Sequence, residues 1–270
     1  MKKIVEYIKK NKMACVVACL IMVTIFIILI DIRINTKVNI IAQHQNMPGF
    51  LSEWCGKRVT WYGDSITEMY GYCDLVDIYL GLQGQNCGFG GTAISHTDDR
   101  CMSSDKRMTD AEYGIAQDSE VIFVMGGIND WTHSVPLGDK ELTFDKNGNI
   151  DVDVNTFYGA CHMMFYNLTR LHPYSKIVVL GTTYANVPDA MAFDNPIGIY
   201  NNEGLSSIDY GDALCEIAGM WGIPAINVGR YMGMNYNNVH TLTDNIHPVS
   251  EQTDYMIAKV VLSFLSQNMY

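Results

Sequence analysis

At 270 residues, 48% hydrophobic and 17% charged, the chain lies in the globular range, which excludes wholesale disorder and accommodates one α/β domain with a short appendage. Of 18 Lys/Arg and 29 Asp/Glu, five bases and one acid fall within the first thirty residues, leaving 13 basic and 28 acidic side chains beyond them. Such an acidic remainder argues against nucleic acid as a partner, does not repel a neutral ligand, and by itself does no more than keep a domain soluble.

The first thirty residues differ from the rest. Lys2, Lys3, Lys9, Lys10 and Lys12 crowd the start, and Met13 to Ile30 then runs for 18 residues with Thr24 as the only conventionally polar side chain. An apolar run of that length just spans a bilayer, and a buried core helix would keep a polar stripe that this run lacks. A cleaved signal peptide shares the basic start, but the run is long and ends in Leu29, Ile30, Asp31, Ile32 and Arg33 without a small-x-small site. The expectation is a cytoplasmic basic segment at 1–12, a single-pass transmembrane anchor at 13–30, a stem at 31–54 and an extracytoplasmic domain at 55–270. Cys15 and Cys19 fall in the anchor, while Cys55, Cys73, Cys87, Cys101, Cys161 and Cys215 lie beyond it. Their even number permits disulfides in an exported domain, yet their irregular spacing gives no framework and no closely spaced metal-type pair.

From residue 55 onward, short apolar or β-rich runs alternate with segments of helical period, the pattern of a parallel sheet covered on both faces. Five strands are predicted, at Val59–Tyr62, Gln85–Cys87, Val121–Met125, Ile177–Leu180 and Ala225–Val228. Between them, helical faces recur at Ile66, Met69, Cys73, Val76 and Leu80, at Phe157, Cys161, Met164, Leu168 and Leu171, and at Leu214, Ile217, Ala218 and Trp221. A last one follows at Met256, Val260 and Phe264. Leu142 to Val154 reads as a polar hairpin turning at Asn147-Gly148. Its alternating acids do not make an EF-hand, because Ile150 and Thr156 stand where glycine and glutamate are required.

Ligands of open parallel sheets lie at the carboxyl ends of the strands, and four blocks fall there or just before the last helix. Gly63-Asp64-Ser65 places a hydroxyl between the first strand and a helix. Asn86 to Thr92 brings glycine-rich backbone near it but lacks the third glycine of a dinucleotide fingerprint, since Ala93 stands there. Gly126-Gly127-Ile128-Asn129 offers a side-chain amide. In Asp244-Asn245-Ile246-His247, a carboxylate three residues ahead of a histidine can hold one ring nitrogen and leave the other to take a proton from a hydroxyl. Each block alone is more often a turn, a cap or a structural histidine; Asp130 and His133 repeat the last spacing in a different setting.

In order and spacing, the four blocks resemble the SGNH hydrolases, also called GDSL-type esterases and lipases, over about residues 55 to 270. The resemblance implies a three-layer flavodoxin-like α/β fold. It also implies Ser65 as nucleophile, Asp244 and His247 as the rest of a triad, and an oxyanion hole from the Ser65 backbone N–H, Gly91 and Asn129. Its chemistry is cofactor-free ester hydrolysis through an acyl-enzyme, here expected on small-molecule or glycan esters. Arg58 and Thr60 make the first strand less apolar than in many relatives, and no G-x-S-x-G elbow surrounds Ser65, which disfavours the general α/β-hydrolase reading. Acyl transfer to a glycan by the same triad, or a binding module without catalysis, are the alternatives. Trp131 follows the oxyanion block, and the segment Thr182 to Asn202 is expected to border the pocket.

Overall fold

β-Branched and aromatic runs form the sheet in the computed structural model, which describes residue 24 and residues 53–69, 71–96, 108–110, 114–187 and 198–268. The chain divides into two units, Met1–Cys55 and Gly56–Tyr270, and every element below belongs to the second. Four parallel strands, β1 (Arg58–Gly63), β2 (Gln83–Gly88), β3 (Val121–Met125) and β4 (Lys176–Val179), lie in the order β2-β1-β3-β4. The central strand β3 is buried at every residue and β1 at all but its first, as a sheet covered on both faces requires. The edge strand β2, with sequence Gln-Gly-Gln-Asn-Cys-Gly, is mostly exposed.

Alternation assigns the two faces. Trp61 of β1 and Phe123 of β3 are in register and stack at 4.2 Å, and Trp61 meets Tyr72 edge-on at 5.7 Å. Trp61 Nε1 also donates to Asp77 Oδ1 at 3.0 Å, so this face belongs to α2 (Tyr72–Leu80), which follows the short α1 (Ser65–Met69). Tyr62 points the other way, and its hydroxyl donates to the Met108 carbonyl beneath α4 (Phe157–Leu171), which comes after the one-turn α3 (Ile128–Thr132). Next in the chain are α5 (Ser207–Met220), α6 (Val228–Tyr231), α7 (Val239–Leu242) and α8 (Glu251–Asn268). Helix α8 packs on α2, and α4 packs on α5, giving a helical layer on each side of the sheet. The start of α5 is fixed by a capping box, with Ser206 N donating to Asp209 Oδ2 at 2.7 Å and Asp209 N to Ser206 Oγ at 3.4 Å.

The five-strand expectation is corrected to four. Ala225 makes only an isolated bridge to Val179; Pro224 has no N–H to lengthen the ladder, and Val228 already opens α6. The predicted helix over 66–80 is two helices, because Gly71 caps α2 and Met69 is exposed. In α8 the buried stripe runs through Thr253, Ile257, Val261 and Leu265, not through Met256 and Phe264. The hairpin at 142–154 reduces to one bridge, Phe144 to Ile150, with the Asp145 carboxylate accepting the Asn147 and Asn149 N–H groups of its own turn. The spanning helix is also withdrawn: none of the described helices is long and apolar enough to cross a membrane, while residues 13–30 lie outside the described residues except for Thr24. Cys55, Cys73, Cys87, Cys161 and Cys215 are free thiols, and Cys101 lies outside the described residues.

Trp61 is 1% exposed and joins β1, β3 and α2. Trp61→Ala is expected to cost about 3–5 kcal/mol, read as a lower midpoint in urea unfolding of the full chain.

Candidate active site

The strand order sets where a site can form. From β1 the chain crosses outward to β2 and then returns to the other side of β1 for β3, so the carboxyl ends of β1 and β3 flank a topological switch point. Gly63, the last residue of β1, is in register with Gly88 of β2 and Met125 of β3, so the loops after all three strands open on one rim.

Ser65 leads α1 directly from this rim and is 6% exposed. Its Oγ lies 2.9 Å from His247 Nε2, across 182 positions of sequence. His247 Nδ1 is 3.1 Å from Asp244 Oδ2. The Asp244 carboxylate also accepts the backbone N–H of His247 at 2.7 Å and of Ile246 at 3.1 Å through Oδ1. Burial works to raise the Asp244 pKa, but the two N–H donors and the His247 ring outweigh it and hold the carboxyl below its usual range. An ionised Asp244 can only accept, so Nδ1 carries the ring proton and Nε2 presents its lone pair to the Ser65 hydroxyl.

The turn that folds His247 back on Asp244 depends on Asn245, whose φ of 87° is in the left-handed region that asparagine tolerates better than most residues. Thr243 bridges Pro248 across the turn, and Asn245 N donates to Thr243 Oγ1 at 2.9 Å. The turn is braced from outside by Asn186 N donating to the Asn245 carbonyl at 3.0 Å, and by a 2.6 Å contact between His240 Nδ1 and Asn245 Oδ1. Asn186 Nδ2 in turn donates to His240 Nε2 at 3.3 Å. The segment after β4 therefore holds the histidine loop.

The glycine-rich loop stands beside Ser65. A Cβ on Gly90 would come within 3.8 Å of the Ser65 Cβ, and Gly90 N donates to Glu68 Oε2 at 2.8 Å. Gly91 has a φ of 74°, which favours glycine. Asn129 lies in the first turn of α3, which follows the left-handed Gly127, and its Nδ2 donates to the Thr92 carbonyl at 2.8 Å. Ser65, the 90–92 loop, Asn129, Asp244 and His247 are thus brought to one rim.

Two residues noted in the sequence make supporting contacts that their local spacing does not disclose. Asp130, fully buried, accepts the Ile94 N–H and the Ser95 N–H, one on each oxygen and each at 2.9 Å. It does not meet His133, whose Nδ1 lies 2.7 Å from the Asn129 carbonyl. Trp131 is fully buried, with Nε1 donating to the Leu205 carbonyl at 3.0 Å, so it supports the α3 turn. A groove of 880 Å³ between α5, α6 and α8 contains none of the rim residues. Among the described residues no cluster of three His, Cys, Asp or Glu could hold a metal ion.

No protein-family model matches the sequence, and no curated protein matches it either. Solved structures do match. A Lactobacillus plantarum protein is 24% identical with a TM-score of 0.64, covering 80% of this chain and 99% of its own. A Bacteroides uniformis protein described as a GDSL-like lipase is 19% identical with a TM-score of 0.56, covering 80% and 98%. A Chitinophaga pinensis protein described as a possible lipase is 20% identical, also at 0.56, covering 78% and 98%. The strand order, the helical layers and these likenesses agree that the chain has the fold of the SGNH hydrolases, the fold of the GDSL-like lipases.

Proposed function

We propose that this chain is a serine ester hydrolase of the SGNH type, with Ser65 as nucleophile, His247 as general base and Asp244 as the carboxylate that orients the imidazole. The observation that carries the reading is the 2.9 Å contact between Ser65 Oγ and His247 Nε2, backed by Asp244 on the opposite ring nitrogen. A hydroxyl, an imidazole and a carboxylate in that sequence form the arrangement that activates a serine for attack on a carbonyl.

The reaction begins as Ser65 Oγ bonds to the ester carbonyl carbon while its proton passes to His247 Nε2. The resulting imidazolium is stabilised by Asp244. Negative charge gathers on the carbonyl oxygen, where the Ser65 N–H, the Gly91 N–H and the Asn129 amide serve as donors. The tetrahedral intermediate collapses by breaking the bond to the alkoxy oxygen, which leaves as alcohol with the proton from His247. Water, deprotonated by the same nitrogen, then attacks the acyl-enzyme and releases the acid and Ser65. The Asn129 bond to the Thr92 carbonyl occupies one amide hydrogen and aims the other, so the side chain is held before substrate arrives. A small-molecule or carbohydrate ester fits the acidic, non-repelling domain. The neighbours described as lipases support ester chemistry without specifying the acyl group.

Ser65→Ala is expected to reduce turnover of a short-chain nitrophenyl ester by roughly 10⁴-fold or more and to abolish labelling by a fluorophosphonate, with unchanged circular dichroism. Ester turnover surviving in that variant would rule out the assignment. Asn129→Ala is expected to lower kcat by roughly 10²–10³-fold with a smaller change in KM, the signature of a donor used in the transition state. A change confined to KM would remove Asn129 from the oxyanion hole. Adding a candidate glycan to the same assay and following the acyl group separates water from a sugar hydroxyl as acceptor.

A further inference from the structure

Asp64 sits beside the proposed nucleophile but takes no part in the proton transfers above. Its side chain is fully buried. Oδ1 accepts the Ile66 N–H at 2.9 Å, and the Asp64 main-chain carbonyl accepts the N–H groups of Thr67 and Glu68 at 3.1 and 2.9 Å. The second carboxyl oxygen, Oδ2, is buried with no hydrogen-bond partner among the described residues. The ionisable groups set against it are Asp130 from α3 and Tyr72 from α2, and neither brings a positive charge.

A carboxylate in that position would leave one oxygen without a donor and confront a second buried acid. Asp130 differs in having a backbone N–H on each oxygen. Of the two, Asp64 is therefore the group whose surroundings favour the neutral form. Burial pushes its pKa up to about 7, the Ile66 N–H opposes that rise, and Asp130 adds to it.

The neutral acid suits its place in the turn. By taking the Ile66 N–H, Oδ1 leaves the preceding Ser65 N–H outside the capping interaction. A negative charge on Asp64, one residue from Ser65 in a dry environment, would oppose the charge that grows on the substrate carbonyl oxygen. We propose that Asp64 is a positioning residue that works as an uncharged carboxylic acid, reserving the Ser65 N–H for the oxyanion, and that its ionisation slows acyl transfer. The inference rests on the hydrolase reading, since it assigns a role in that reaction.

The test compares kcat against pH for the full chain as wild type, Asp64→Asn and Asp64→Ala on a soluble nitrophenyl ester. In wild type, kcat is expected to fall about tenfold per pH unit above about 7. Asp64→Asn cannot ionise, so its profile loses that alkaline fall. Asp64→Ala loses the acceptor for Ile66 N–H, and kcat drops across the whole range while KM changes less. An alkaline limb identical in wild type and Asp64→Asn overturns the proposal and leaves the hydrolase reading intact; a wild type that turns over no ester overturns both.

A second readout is independent of turnover. Because the folded pKa is raised above the usual 3.8, the stability that Asp64 contributes is full below that value and is lost as pH rises through about 7. The Tm of wild type relative to Asp64→Asn should therefore decline over that window. Should Asp64→Asn fail to fold, carboxyl ¹³C NMR of aspartate-labelled wild type decides. An aspartate titrating near 7 supports the proposal, and aspartates titrating only near the usual 3.8 overturn it.

Discussion

Everything at the rim follows from the parallel register of three strands. With Gly63 aligned to Gly88 on one side and Met125 on the other, the chain leaves β1, β2 and β3 at the same level and on the same edge. Parallel strands connected through helices deliver their following loops to one end of the sheet, so a hydroxyl, a glycine loop and an amide from three places in the sequence meet without contacts designed for the purpose. The histidine does not share that advantage. It comes from a loop after α7, and its position is set by the left-handed Asn245, the Thr243–Pro248 bridge and the Asn186 contact from the segment after β4. Three rim groups are placed by the sheet and the fourth by a brace.

Three acids near this rim show how surroundings divide one side-chain chemistry. Asp244 is half-exposed and receives two backbone N–H groups and an imidazole, which keep its carboxyl ionised and fix the ring tautomer. Asp130 is buried but has a donor on each oxygen, and with them it ties the loop after β2 to α3. Asp64 is equally buried with a donor on only one. The number of N–H groups supplied, and not the burial alone, separates the last two.

How much of this the sequence disclosed depends on the range of the interaction that decides each feature. Val121–Met125 is read to the residue because an uninterrupted apolar, mostly β-branched run bounded by Glu120 and by Gly126-Gly127 is a local signal. The run at 225–228 looks similar, yet Pro224 and the helical turn at Val228 limit it to one bridge, and only the neighbouring strand decides how far pairing extends. The helix over 66–80 splits because Gly71 begins a new cap, an outcome that the apolar period passes over. The rim blocks were legible since each is a few consecutive residues at a strand end or before a helix. The grip of Asp130 on Ile94 and Ser95, and of His240 and Asn186 on Asn245, was not, because those partners lie in separate segments that only the folded sheet brings together.

The Ser65 turn and the glycine loop are tied into one unit. Gly88 must lack a side chain, since a Cβ there would run into the backbone of Thr67 and Glu68 in α1. That close approach lets Glu68 reach back to the Gly90 N–H at 2.8 Å and Asn86 Nδ2 donate to the Thr67 carbonyl at 2.6 Å. Two bonds in opposite directions thus clamp α1 to the loop that carries Gly91, and the Asn129 bond to Thr92 adds α3 to the same body. Any displacement of Ser65 relative to Gly91 and Asn129 strains these bonds. Preorganisation at this rim is therefore a property of how tightly β2 returns against α1, and glycine at position 88 is the residue that permits it.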